Sequence, residues 1–259
     1  MDWNGSARKD LEDGIYSVQV EYRNKKPIQK GWQNLRITEC DLDASIGDLN
    51  RGRLLGVPPP AGVDGGWVVC VDLDATVSRL LAPFILPSTA EISGRDSAPH
   101  SHYFFESNPP PSTRRYKIPK GIMLSEILST GTQVVVGPSV HPSGEFYRWD
   151  KKGSRGKVSS GHLQERVAVL ASASLLANFS DSFDTWAARW ACFFEEFAPS
   201  IQDSMKRFAP PQWPGDDLME TMKPWFGENR SAGQSPFSLG NLASTWIKQS
   251  FDRNGQTRI

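Results

Sequence analysis

The run WVVCVDLD (Trp67–Asp74) begins as apolar strand and ends in two carboxylates, Asp72 and Asp74. Side chains two apart on a strand share a face, so the pair would project together from the strand's C-terminal tip. Like charges that close repel, and a divalent cation removes the repulsion. Mg²⁺ suits such a site, because it takes oxygen ligands and shares them with substrate phosphates. The competing reading makes Asp74 the N-cap of a helix beginning in DATVSRLLAPF and leaves Asp72 a solvated strand end. Glu126 interrupts the apolar alternation of Ile122, Leu124 and Leu128 in IMLSEIL. A charge in that register either joins the aspartates or marks an edge strand facing solvent. HSHYFF (His100–Phe105) puts His102 on one face with Phe104, where an imidazole can donate a hydrogen bond to a phosphate oxygen. Carboxylates around metal, with such a histidine beside them, suit nucleotidyl transfer.

Other groups could assist. Arg95 in SGRDSAP carries a planar fork that matches phosphate oxygens, and His100 and Ser101 immediately precede His102. In PSVHPSGEFYRW the prolines stiffen a loop that places Ser139 and His141 at a strand end, where nucleotide contacts are commonly made. Each has a plainer reading: a core histidine bonded to backbone, or a rigid hairpin loop whose histidine faces water. Zinc held by His100 and His102 is a further alternative, but no other His or Cys stands at a familiar metal spacing.

The elements that must position these groups divide near residue 160. Before it, Gly and Pro punctuate short β-rich runs: YSVQVEY, RGRLLGV, GWVVCVDLD, SHYFFES, TQVVVGPSV and EFYRWD. STGT reads as the turn of a hairpin whose second strand is QVVVG. After residue 160 apolar residues recur at helical spacing in Leu163–Phe179 and Ser182–Phe208, with shorter helices expected at DDLMETMKPWF and LGNLASTWIKQSF. GSRGKVSSG and GENRSAGQSP read as linkers. The expectation is an α+β domain over residues 1–160 and a helical bundle over 161–259.

The chain has 259 residues, enough for one large domain or two modest ones, and 38% of them are hydrophobic. Its 29 basic and 29 acidic residues cancel, so any nucleic-acid path must be a local patch. Arg114, Arg115, Lys117 and Lys120 form one candidate patch; Lys151, Lys152, Arg155 and Lys157 form another, and both also read as solvated loops. Cys40, Cys70 and Cys192 are too scattered for a zinc pair or a disulfide framework. No signal-like or membrane-length apolar run occurs, which reads as a soluble protein of a reducing, cytoplasmic setting without a membrane partner.

In order, KKPIQKGWQNLRIT, GRLLGV with GWVVCVDLD, LPSTAEISGRDSAPHSHYFF and EILSTGTQVVVGPSVHPSGEFYRW resemble the motifs of the bifunctional primase–polymerase (prim-pol) family of the archaeo-eukaryotic primase superfamily. The match runs over about residues 15–150. It implies a primase-like catalytic domain with a mixed, largely antiparallel RRM-like sheet. It also implies DNA-directed nucleotidyl transfer on a single-stranded DNA template. By the same resemblance Asp72, Asp74 and Glu126 hold Mg²⁺ or Mn²⁺, and His102 contacts the incoming dNTP or NTP. Arg95, Ser101, Lys30, Ser139 and His141 stand around nucleotide or template. The family often has Asp-x-Glu where this chain has Asp72-Leu73-Asp74, often has Asp at Glu126, and has Pro at Gly137. Related primases append a helical module that grips template or nucleotide. No GxxxxGK[ST] loop is present, so unwinding would fall to a separate helicase. A replication-initiator module without catalysis and a metal-dependent nuclease are the rival readings.

Overall fold

The computed structural model describes residues 2–43, 49–117 and 123–178. The expected helices after Phe179, the linker GENRSAGQSP, Cys192, Lys120 and Ile122 lie outside the described residues. The chain forms two compact units. One comprises Met1–Leu73, Pro87–Arg115 and Glu126–Leu163; the other comprises Asp74–Leu86, Tyr116–Ser125 and Gln164–Ile259. The described architecture is mixed α+β with largely antiparallel sheets.

The first unit opens with helix α1 (Trp3–Glu12), whose first turn is capped by the Asp2 carboxylate accepting the Gly5 N–H at 2.8 Å. Strands β1 (Ser17–Val20), β2 (Asn50–Leu54) and β8 (Gln133–Val136) form a three-stranded antiparallel sheet with β2 in the centre. The second sheet runs in the order β6 (Arg114–Lys117), β7 (Met123–Leu128), β3 (Trp67–Asp72), β5 (Ala98–Ser107), β4 (Glu91–Arg95), β9 (Arg148–Lys152). The short β10 (Gly156–Lys157) adds to β5 in parallel. Val68, Cys70, Phe104 and Leu128 of the larger sheet share one buried apolar cluster with Val134 and Val136 of the smaller sheet and with Ile15 and Leu55. The alternation expected for β3 thus serves as the seam between two sheets. Burial pushes the Cys70 thiol well above its usual range, leaving it a packing group.

Two expectations are corrected here. STGT turns, with Thr132 N–H donating to Ser129 C=O at 3.0 Å, yet it makes no hairpin. Strand β7 pairs with β3 while β8 pairs with β2, so the turn carries the chain from one sheet to the other. Gly56 permits this crossing. It has φ +60°, and a Cβ there would sit 2.1 Å from the Thr130 nitrogen. Nor is GSRGKVSSG a linker: it contains β10 and the start of helix α3 (Ser160–Asn178), and Arg155 within it is held by Glu91 and Glu106.

In the second unit, helix α2 (Thr76–Ile85) buries Val77, Ser78, Leu81, Ala82 and Ile85, which recur at helical spacing. Ser78 and Ser174 of α3 approach to 2.9 Å through their hydroxyls. The N-cap of α2 is Ala75, without a side-chain cap, so Asp74 does not play the capping role considered for it. Among the described residues no helix is long and apolar enough to cross a membrane.

Candidate active site

The larger sheet brings distant residues into one row. Asp72 on β3 lies opposite Glu126 on β7 and opposite His102 on β5; His102 in turn lies opposite Ser93 on β4. Directly opposed residues of antiparallel strands point to the same face, so Glu126, Asp72, His102 and Ser93 line one side of four neighbouring strands. That side also carries Cys70, Phe104 and Leu128, and the row continues the seam of the core into partly accessible ground. The side chains of Glu126 and Asp72 are 14% and 17% exposed, enough for solvent or ligand to reach a carboxylate oxygen.

The imidazole of His102 is held from two sides. Its Nε2 stands 3.6 Å from Asp72 Oδ1, and its Nδ1 is 3.1 Å from the Ser93 hydroxyl. Tyr147 stacks on the ring at a centroid distance of 6.0 Å, with an interplanar angle of 20°. His141 also meets Tyr147, edge-on at 5.8 Å. Burial, then the positive charges of Arg95 and Lys25, lower the His141 pKa from its ordinary value, which favours the neutral ring. At the other end of the row, Arg115 Nε donates to Glu126 Oε1 at 2.5 Å.

Asp72 and Glu126 form an all-oxygen donor pair, the chemistry that hard divalent ions prefer. Two carboxylates opposed across a ladder repel, and the Arg115 guanidinium offsets that repulsion in part. Among the described residues no group of three or more His, Cys, Asp or Glu side chains is gathered tightly enough to hold a metal ion. The pair nevertheless fits Mg²⁺, which is often held by one or two carboxylates with the remaining ligands from water and substrate phosphate.

The remaining candidates lie elsewhere. Asp74 follows the end of β3 by two residues and belongs to the second unit, where its carbonyl accepts from Arg79 at 2.6 Å. Ser101 is buried and precedes His102 on β5, so alternation turns it to the opposite face; its carbonyl accepts the Leu73 N–H at 2.8 Å. Ser139 is fully buried, and its hydroxyl accepts the Arg51 N–H at 2.8 Å and donates to the Arg51 C=O at 3.3 Å. That is a backbone tie between β2 and the loop. Lys30 is exposed before a left-handed Gly31. His100 is exposed with φ +54° and donates its backbone N–H to Asp150.

Arg95 donates through Nε to Glu145 at 3.2 Å. Glu145 also accepts from the Ser97 N–H at 2.7 Å and from the hydroxyls of Ser97 and Ser143, each at 2.8 Å. These bonds, the Ser97 N–H foremost, hold its carboxyl down at about 2. The cluster closes the turn in PSVHPSG onto the loop after β4. Of the two basic patches, Arg114, Arg115 and Lys117 lie on the edge strand β6, while Arg155 is largely buried in ion pairs.

Arg51 and Arg53, next to this site in the fold, did not emerge from the motifs. Both are almost fully buried and share Asp10. Arg53 also pairs with Glu91 at 3.0 Å and lies over the Trp149 ring at 4.5 Å. Desolvation, reinforced by Arg53, lowers the Arg51 pKa to about 9. The signal was present in RGR: two charges at strand spacing beside LLGV are as anomalous as Glu126 among its leucines.

The chain belongs to the Prim-Pol family, since the family model "Bifunctional DNA primase/polymerase, N-terminal" matches residues 7–164. No curated protein matches the chain.

Proposed function

We propose that the protein is a DNA primase–polymerase that joins nucleotides on a single-stranded DNA template. The observation that carries this reading is the row Glu126–Asp72–His102–Ser93 on one sheet face of a Prim-Pol chain. Asp72 and Glu126 are the residues that would hold Mg²⁺ or Mn²⁺; Asp74, two residues beyond the end of β3, is the third acid to which the family resemblance gives this role. When bound, such ions supply Lewis acidity to the attacking 3′-hydroxyl and to the departing pyrophosphate.

The protein's own groups do the rest. His102, oriented by Ser93 and backed by Tyr147, meets an oxygen of the dNTP or NTP triphosphate. Asp72 stands 3.6 Å from the His102 Nε2 and fixes the ring's orientation from the other side. Arg115 donates to Glu126 Oε1 and so orients this carboxylate in the row. Positioning and fixed charge account for the catalysis, as in phosphoryl transfer generally. Arg95 and His141 shape the loop beside the row, Lys30 lies on the template path, and Ser101 and Ser139 act through the backbone. The sheet is that of a primase-like, RRM-like domain, and the part of the chain after residue 160 grips template or docks a separate helicase. The setting is cytoplasmic replication of plasmid or phage DNA.

A primer-extension assay with labelled dNTPs and Mn²⁺ tests the reading. The wild type should lengthen the primer, and Asp72→Ala/Asp74→Ala should lower extension by at least about 100-fold while DNA retention persists. A shortened primer would make the protein a nuclease. A mobility shift without extension would make it an initiator or binding module. Undiminished extension by the double variant would refute the metal assignment.

A further inference from the structure

We propose that a cationic cavity of ≈540 Å³ between α1, β2 and β9 is a second phosphate-binding site, taking the polyphosphate of a nucleotide or the terminal phosphate of a nucleic-acid strand. None of the residues Glu126, Asp72, His102 or Ser93 lines it. Five cationic side chains do: Lys9, Arg51, Arg53, Arg148 and Lys152. Against them stand two carboxylates, Asp2 and Asp10. Asp2 is committed to capping α1, and Asp10 is shared by Arg51 and Arg53. Arg148 is engaged by Asp96 and Asp150. Arg53 is also paired with Glu91, so the positive charge left to meet an incoming anion is chiefly that of Lys9 and Lys152.

Arg51 provides the independent sign of a missing anion. Its side chain is 2% exposed, its NH2 group donates to the Gly137 C=O at 2.6 Å, and its Nε has no acceptor among the described residues. Buried donors are normally satisfied, so this orphan marks a guanidinium beside the cavity whose hydrogen bonding the described chain does not complete. Lys152 stands 5.7 Å above the Trp149 ring, and its pKa is lowered by burial and by Lys9, Arg53 and Arg51. Like charges crowded in this way are relieved by a polyanion. Phosphate is the anion whose oxygens best match guanidinium forks, and the volume falls within the range of small-molecule sites. Tyr147 both lines the cavity and stacks on His102, so the site adjoins the row without sharing its groups.

The test is calorimetric titration of the full chain in EDTA, where carboxylates without metal do not hold a polyphosphate. Inorganic tripolyphosphate should bind, and Lys9→Ala/Lys152→Ala should weaken it by about tenfold or more. Both lysines are exposed, so the variant should keep the wild-type fold by circular dichroism. If the anion were instead held at the row, His102→Gln would abolish binding; from the cavity it should have less than a twofold effect. Loss of binding in His102→Gln, or less than a twofold effect of the lysine pair, would overturn the assignment, whatever the outcome of the extension assay. Competition separates the two sources. Displacement by dATP marks a free nucleotide, and displacement by a 5′-phosphorylated but not a 5′-hydroxyl oligonucleotide marks a strand end. Displacement by neither would also overturn it.

Discussion

Replacing Arg53 with methionine tests how the two sheets of the first unit are tied. Arg53 is 1% exposed and donates to Asp10 through Nε at 3.1 Å and NH2 at 2.6 Å, and to Glu91 through NH1 at 3.0 Å. Asp10 and Glu91 are themselves buried. Methionine keeps much of the stem that packs against Phe104 and Trp149 but leaves both carboxylates short of a partner. Removing one member of a buried ion pair costs about 3–5 kcal/mol. Arg51 stays on Asp10 and Arg155 on Glu91, which places the loss near the lower bound, about 3 kcal/mol. At roughly 2–4 °C per kcal/mol for a chain of this size, the melting temperature should fall by about 6–12 °C. Urea unfolding at pH 7 would measure the change directly, with an unchanged m value showing that stability alone has moved. A loss below about 1 kcal/mol would refute the view that this network is a structural tie.

Two further outcomes are expected. The folded pKa of Glu145 lies below its ordinary 4.5, at about 2, so the stability it contributes is present above 4.5 and is lost as pH falls toward 2. Thermal melts should show Glu145→Gln below the wild type at pH 6 with the gap closing by pH 2; a gap independent of pH would contradict the hydrogen bonds assigned to it. Ser93→Ala should reduce primer-extension kcat/KM by about 2- to 10-fold, the equivalent of one hydrogen bond. It should also move the acid limb of the pH profile, and Ser93→Thr should restore both. An unmoved profile would remove Ser93 from the positioning of His102.

Strand alternation exposed Asp72, His102 and Glu126 before any fold was known, because a charge or imidazole in an apolar register breaks a local pattern. Their common face needed only that β3, β5 and β7 be neighbours. The hairpin expected at STGT failed for a reason a local pattern cannot carry. Turn chemistry specifies a reversal of direction, and whether the returning strand rejoins its predecessor depends on β2 waiting in the other sheet. Ser139 looks like a phosphate contact by residue type, yet its hydroxyl bonds the Arg51 backbone. GSRGKVSSG looks like a linker by composition because the value of Arg155 depends on Glu91 and Glu106, 64 and 49 residues away.

The ladder that carries the row also acts as its ruler. Neighbouring strands lie about 4.8 Å apart, so the α-carbons of Glu126 and His102, two rungs apart across Asp72, are separated by roughly 10 Å whatever side chains they bear. Exchanging aspartate for glutamate on this grid changes how far a carboxylate extends, not where it is mounted. Variation in acid length can thus be tolerated at Glu126, whereas inserting or deleting a single residue in β7 would turn that carboxylate to the other side of the sheet.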